Sequence, residues 1–214
     1  MIRIIPILAA ALFSCSVLAS NEIVVGAFSQ GDLTGWETEV FNAETRYHFE
    51  DTAEGTVLKS EANTSASGLF KKLTIDLSQT PCLRWRWKVD RALEGLDETT
   101  KAGDDYAARV YLVVSTGPFF WQTHAISYVW SGSRPIDTFW PNAYTDKATM
   151  IAMQSGNSRA GEWVQETRNI RADVERFVGA DIKMAHAVAL MTDTDDSALT
   201  ATAYYGDIAL TACR

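Results

Sequence analysis

The sequence has few of the residues that build common catalytic and metal sites, with only three cysteines and three histidines among its 214 residues. No Cys-x-x-Cys pair is present, which excludes a thiol redox motif or a zinc ribbon. The histidines, at positions 48, 124 and 186, share no zinc-ligand spacing, so we interpret each as a structural or a surface residue. Phosphate-binding glycine loops, the Gly-x-Ser-x-Gly elbow and the His-Glu-x-x-His motif are also absent.

Positive charge is also scarce. Lys and Arg number 19 against 27 Asp and Glu, which gives a net charge of −8. Because a protein that binds a phosphate backbone needs a basic surface, nucleic acid is not an expected partner. No low-complexity tract or linker divides the chain, so we predict a single domain over residues 20–214.

No apolar run approaches the roughly 20 residues that span a bilayer, so we predict no transmembrane segment. The apolar stretch at residues 4–13 follows Arg3 and precedes Val17-Leu18-Ala19, a pattern typical of a cleaved signal peptide over residues 1–19. This predicts a periplasmic or secreted protein. The alternative is a lipoprotein acylated at Cys15, because residues 12–15 resemble a lipoprotein box, and the good cleavage site after it favours soluble export.

Cleavage would leave two cysteines, Cys82 and Cys213. An even pair in an oxidising compartment predicts a disulfide, which would join a middle strand to the last one. The alternative is a pair of buried free thiols.

Short runs of alternating apolar and polar residues recur along the chain. Residues 82–90 place Leu83, Trp85, Trp87 and Val89 on one face and charged residues on the other, which is the period of a strand. Residues 106–115 alternate in the same way, and further strands are predicted at 23–28, 57–62, 68–76, 125–130, 148–154, 163–169, 183–191 and 202–210. Residues 171–178, before Gly179, predict one short helix. The fold class is therefore an antiparallel β-sandwich of jelly-roll type.

Acidic and arginine residues gather where predicted strands begin or end, which is where sandwiches often build binding sites. Either these residues pair with one another and cap turns, or they line a polar cleft for a ligand. We expect Asp104, Asp105, Arg109, Arg168, Asp173, Asp193 and Asp195 to converge in space. The polar face of the 82–90 strand adds Arg84 and Arg86 as ligand-binding candidates.

Aromatic residues are the other binding candidates, because flat rings stack on sugar faces. Tyr128 and Trp130 lie on one predicted strand and Trp140 follows it. The alternative is that they fill the core, which is our interpretation for Trp36, Trp85 and Trp87.

The acidic run after the 183–191 strand has the odd-position oxygens of a calcium loop, at Asp193, Asp195 and Ser197. An EF-hand needs Gly at the sixth position and Glu at the twelfth, where this chain has Ala198 and Tyr204. An EF-hand is therefore excluded, and a calcium site of another kind stays open.

Several of these segments resemble, in order, the motifs of DUF family 3047, exported bacterial proteins of unknown function. They are Trp-Arg-Trp-Lys-Val at 85–89, Asp-Asp-Tyr-Ala-Ala-Arg at 104–109, Ser-Tyr-Val-Trp at 127–130, Arg-Asn-Ile-Arg-Ala-Asp at 168–173, Thr-Asp-Thr-Asp at 192–195 and Tyr-Tyr-Gly-Asp-Ile at 204–208. The layout is similar to galactose-binding-like jelly rolls. In carbohydrate-binding jelly rolls a last-strand Asp often meets N-terminal acids around a structural calcium, which by this resemblance implies Asp207 and Asp32 as metal ligands.

We therefore expect an exported binding module for a carbohydrate or other small polar ligand of the cell envelope. The alternatives are a polysaccharide hydrolase or lyase that uses the Asp and Arg residues, and a structural or assembly factor of the envelope. No nucleophile–base pair is visible in the sequence, which favours binding over catalysis. Apart from the structural calcium, no cofactor is expected.

Overall fold

The computed structural model describes residues 22–117, 119 and 122–213. The predicted signal peptide and Cys15 lie outside these residues. None of the helices in the described part of the chain has the length and apolar character needed to cross a membrane.

The described residues form thirteen strands and one α-helix, besides two single-turn 3-10 helices at Phe28–Gln30 and Lys101–Gly103. In chain order they are β1 (Ile23–Gly26), β2 (Trp36–Asn42), β3 (Arg46–Thr52), β4 (Gly55–Asn63), β5 (Ala66–Asp76), β6 (Cys82–Val89), β7 (Arg109–Ser115), β8 (Thr123–Ser131), β9 (Phe139–Pro141), β10 (Ala148–Ser155), β11 (Val164–Asn169), α1 (Ile170–Phe177), β12 (Met184–Asp193) and β13 (Thr200–Thr211). The first sheet has the order β11-β6-β13-β4-β3, with β1 also paired to β13, and the second has the order β2-β5-β12-β7-β8-β10-β9. The two sheets pack face to face, so the predicted β-sandwich with one short helix is confirmed.

Two features of the sheets differ from the prediction. Strands β8 and β10 pair in parallel, whereas the sequence predicted antiparallel pairing throughout. A crossover over residues 132–147, which includes β9, returns the chain in the same direction. Strands β2, β3 and β9 were not predicted, and all three lie at sheet edges. An edge strand buries little of either face, so the apolar alternation that marks a central strand is weak there.

The core lies between the sheets and is rich in aromatic rings. The apolar face predicted for β6 is confirmed, since its four alternating residues are completely buried. The Trp85 ring lies 5.5 Å from that of Tyr128, and the Trp87 ring lies 5.9 Å from that of Trp130. These pairs join β6 of the first sheet to β8 of the second. Tyr128 and Trp130 are therefore core residues, and the prediction that they bind ligand at the surface is wrong.

The predicted disulfide between Cys82 and Cys213 is confirmed, with the two Cα atoms 5.2 Å apart. Cys82 begins β6, and its strand partner is Thr211 at the end of β13. The bond therefore fastens the end of the chain to a central strand of the first sheet.

Candidate functional site

A groove of about 730 Å³ crosses the outer face of the second sheet. Its lining residues are Glu37, Thr38, Glu39, Phe41, Phe70, Lys72, Val113, Thr123, Ala125, His186 and Ala187. In a strand, alternate side chains share a face, so each strand contributes only a few residues to this surface. The inner strands contribute small ones, such as Ala125 of β8 and Ala187 of β12, while β2 and β5 contribute long ones. The groove forms because the side chains on its floor are short, whereas those along its rim on β2 and β5 are long.

Three aromatic rings run in a row across this sheet face. The Phe41 ring lies 6.3 Å from that of Phe70, which lies 6.4 Å from the ring of Tyr111. Ala189 of β12 stands opposite both Phe70 and Tyr111, and its small side chain allows the two rings to meet above it. Phe41 is 58% exposed at the edge strand. Phe41 and Phe70 therefore present apolar ring surface to the groove, and Tyr111 packs against Phe70.

Charged and polar groups stand beside the rings. The Lys72 ammonium donates to Glu37 at 2.9 Å, and this hydrogen bond raises the pKa of Lys72. Glu39 lies two residues from Glu37 on the same strand and face. The backbone N–H of Ser115 donates to Nδ1 of His186 at 3.2 Å, so the neutral ring carries its proton on Nε2. The groove thus offers both hydrogen-bond donors and acceptors.

At one end of the same sheet face, two positions before Tyr111 on β7, lies a buried ion pair. The Arg109 Nε donates to Oδ1 of Asp193 at 2.9 Å, and its Nη2 donates to Oδ2 of Asp193 and to the backbone oxygen of Asp104. Burial raises the pKa of the Asp193 carboxyl, and the Arg109 guanidinium opposes that rise. Arg109 is 5% exposed, so it lies beneath the surface that a ligand would touch.

More carboxylates surround this pair. Oxygen atoms of Asp105, Asp193 and Asp195 lie within 4.8 Å of one another. Asp105 accepts hydrogen bonds from the backbone N–H groups of Ser197 at 2.6 Å and Asp196 at 3.4 Å. The structure therefore brings these three acids together with Asp104 and Arg109, and we call the five residues the acidic cluster. A set of carboxylate oxygens this close has the chemistry to hold a hard cation.

Arg168 and Asp173 belong to a different group. Arg168 donates to Asp173 through Nε at 2.8 Å and Nη2 at 3.0 Å, and to Asp137 through Nη1 at 2.7 Å. The Tyr128 hydroxyl donates to the same Asp173 carboxylate at 2.9 Å from within the core. The seven residues expected to converge are thus divided between two guanidinium groups, centred on Arg109 and Arg168.

Arg84 and Arg86 lie on the first sheet, not on the sheet that carries Arg109. Arg84 pairs with Glu22 at 2.7 Å, and Arg86 pairs with Glu54 at 3.3 Å. The two arginines line a small polar depression of about 230 Å³. They belong neither to the groove nor to the acidic cluster.

The two acids assigned to calcium by resemblance bind groups of the protein. Asp207 accepts hydrogen bonds from the backbone N–H and the hydroxyl of Ser29, at 2.7 and 2.6 Å. Asp32 accepts from the backbone N–H of Thr34 at 2.7 Å, within its own turn. Neither belongs to the group of three acids that the described residues bring together. Calcium binding by Asp32 and Asp207 stays a prediction.

Sequence reasoning missed the groove. Glu37, Glu39 and Phe41 share one face of β2, but this face mixes charged and apolar side chains, so the alternation gives only a weak signal. Trp140, a possible exposed sugar platform, is instead buried against Tyr106 with ring centres 6.5 Å apart.

Together, the two sheets define the protein as a β-sandwich, with a groove on the outer face of the second sheet. The family 11 carbohydrate-binding module of the cellulosomal cellulase Lic26A-Cel5E of Clostridium thermocellum is similar, with a TM-score of 0.50 and 9% identity over 91% of this chain and 96% of that one. The endoglucanase Cel12A from Rhodothermus marinus has a TM-score of 0.48 and 9% identity over 89% of this chain and 99% of that one. At 9% identity, the likeness to the carbohydrate-binding module shows the fold alone.

The particular family follows from the sequence. Residues 34–209 match the model of the family described as a protein of unknown function, DUF3047, and the chain belongs to that family. No curated protein sequence matches the chain.

Proposed function

We propose that this protein binds a carbohydrate chain in the groove on the outer face of the second sheet. The observation that carries the proposal is the pair of aromatic rings, Phe41 and Phe70, that lines the groove beside small side chains, with Tyr111 packed against Phe70. Sugar rings have flat apolar faces, and aromatic side chains cover such faces at low cost in conformational entropy.

Side chains along the groove supply the hydrogen-bonding groups that a sugar would need. Glu37 and Glu39 accept hydrogen bonds from hydroxyl groups, while Lys72 and the Nε2–H of His186 donate them. A few oriented polar groups beside an apolar surface are typical of small-molecule sites. The fold shared with a carbohydrate-binding module of a cellulase also supports this proposal.

Binding is favoured over hydrolysis by the arrangement of the carboxylates. Most glycosidases place two carboxyl groups on either side of the bond that is cleaved. Among the described residues that line the groove, the carboxylates are Glu37 and Glu39, both on β2, and they face Val113, Thr123 and Ala125 on the other side. We propose binding outside the cytoplasm, since the disulfide is typical of an oxidising compartment.

The test is a glycan array on the purified protein, followed by titration of the glycan that binds best. Phe41→Ala should weaken binding about tenfold, the effect of losing one stacking contact of about 1.4 kcal/mol. Phe139→Ala is the matched control, because Phe139 is also exposed on an edge strand but lies outside the groove.

A second variant tests the groove itself. Ala125→Phe fills the floor with a ring and should abolish binding while the melting temperature stays close to that of the native protein. The proposal is overturned if no glycan binds, or if Phe41→Ala and Phe139→Ala have equal effects on binding.

A further inference from the structure

We infer that the acidic cluster binds one calcium ion through the carboxylates of Asp105, Asp193 and Asp195. This site is separate from the groove ligand, and its test needs no carbohydrate. It also differs from the Asp32–Asp207 site that the resemblance implies.

The first argument is geometric. Oxygens bound to one calcium ion at about 2.3–2.6 Å lie at most about 5 Å apart. The oxygens of these three acids meet that limit without movement, since they lie within 4.8 Å of one another. Asp105 comes from the loop before β7, whereas Asp193 ends β12 and Asp195 follows it. Carboxylates from these three positions of the chain therefore place their oxygen atoms close together.

The second argument is an unpartnered buried oxygen on Asp104, the residue that precedes Asp105 in the chain. Asp104 is 95% buried, and within the described residues its Oδ1 has no hydrogen-bond partner. Its Oδ2 accepts from Asn142 at 2.7 Å and lies 3.9 Å from Nη1 of Arg109, the guanidinium that binds Asp193. An orphaned carboxylate oxygen is costly in the interior, and a cation held by the three neighbouring acids would satisfy it through a bound water.

The side-chain oxygen of Ser197, whose backbone contacts Asp105, is also unpartnered among the described residues. The backbone N–H of Ser197 donates to Asp105 at 2.6 Å, while the buried Oγ of Ser197 has no partner among the described residues. A hydroxyl oxygen is a neutral ligand of the kind that calcium accepts.

Charge balance is the third argument. The acidic cluster contains three buried carboxylates, those of Asp104, Asp105 and Asp193, and its one cationic side chain is the buried guanidinium of Arg109. Buried charges need partners, because the desolvation of each unpaired ion costs several kcal/mol. A divalent cation restores the balance. The donors are all oxygen, which favours calcium over zinc, since zinc prefers nitrogen and sulfur ligands.

The experiment is a calcium titration of chelator-treated protein, followed by thermal unfolding and by metal analysis after gel filtration. The native protein should retain one calcium and melt at a higher temperature with calcium than with chelator, because a ligand of the folded state stabilises it. Asp195→Asn should bind calcium at least tenfold more weakly. Asp195 is the least buried of the three acids, so this variant should still fold.

Two further variants make the result specific. Asp51→Asn removes an exposed carboxylate on β3, and it should keep the full calcium response. Asp207→Asn should also keep it if calcium occupies the acidic cluster. The inference is overturned if calcium leaves the native melting temperature unchanged, if Asp195→Asn responds like the native protein, or if the response is lost in Asp207→Asn and kept in Asp195→Asn.

Discussion

The guanidinium of Arg109 holds both carboxylate oxygens of Asp193, although 84 positions separate the two residues in sequence. Arg109 begins β7 and Asp193 ends β12, and these neighbouring strands run antiparallel, so the start of one meets the end of the other. The planar fork of arginine suits a carboxylate in two-point contact. The pair anchors the loops at one end of the sheet that carries the groove.

Replacing Arg109 with alanine should lower the free energy of unfolding by about 3–5 kcal/mol, because Asp193 would lose its ion-pair partner in the interior and would have to take up a proton to avoid being an unpaired buried charge. Chemical unfolding at neutral pH measures this change. Arg46→Ala is the control: its ion pair with Glu61 is solvent-exposed, and losing it should cost no more than about 1 kcal/mol. Similar losses in the two variants would contradict the structural role of Arg109.

Tyr128→Phe should reduce stability and leave glycan affinity unchanged. The Tyr128 hydroxyl donates to Asp173 in the core, and its removal should cost about 1–3 kcal/mol because a buried acceptor loses a donor. Unfolding curves and a glycan titration on the same preparation separate the two effects. A large loss of affinity with intact stability would instead restore Tyr128 as a ligand-binding residue.

Removing the disulfide should destabilise the protein by about 2–5 kcal/mol, since the bond closes a loop between residues 131 positions apart. The variant is the double substitution Cys82→Ala and Cys213→Ala, compared with the native protein in denaturant titrations. Reductant should lower the stability of the native protein towards that of the variant and leave the variant unaffected. Native stability that is insensitive to reduction would contradict this prediction.

Glu98→Gln should flatten the dependence of stability on pH. Burial raises the pKa of the Glu98 carboxyl, while hydrogen bonds from Ser131 and Gly132 oppose the rise. As pH rises above about 4.5, the unfolded chain loses this proton before the folded protein does, so the free energy of unfolding falls until the folded-state pKa is passed. Glutamine stays neutral, and the decline above that pH should therefore be shallower.

Urea unfolding at a series of pH values measures the slope. The matched control is Glu44→Gln, an exposed substitution of the same type, which should keep the native slope. An unchanged slope in Glu98→Gln would mean that another group causes the decline.

Local patterns were enough for much of the fold. The alternation in residues 82–90 predicts both β6 and its buried face, because a period of two places every second side chain on one side of a strand. The same reasoning fails at β2, where both faces are largely exposed and the pattern has little apolar contrast. The two cysteines outside the predicted signal peptide predict the disulfide, because two thiols in an oxidising compartment allow a single pairing.

The sequence by itself therefore determined the sandwich class, the buried face of the central strands, the disulfide and the family. Only the tertiary structure decided which charged residues meet. Arg109 joins Asp193 and Arg168 joins Asp173 because strand order and register set the distances between residues far apart in sequence. The packing of Phe70 against Tyr111 depends on the same register, since Ala189 lies between these two residues only once β5, β12 and β7 are side by side. Such contacts join strands across the sheet, and no periodicity within one strand encodes them.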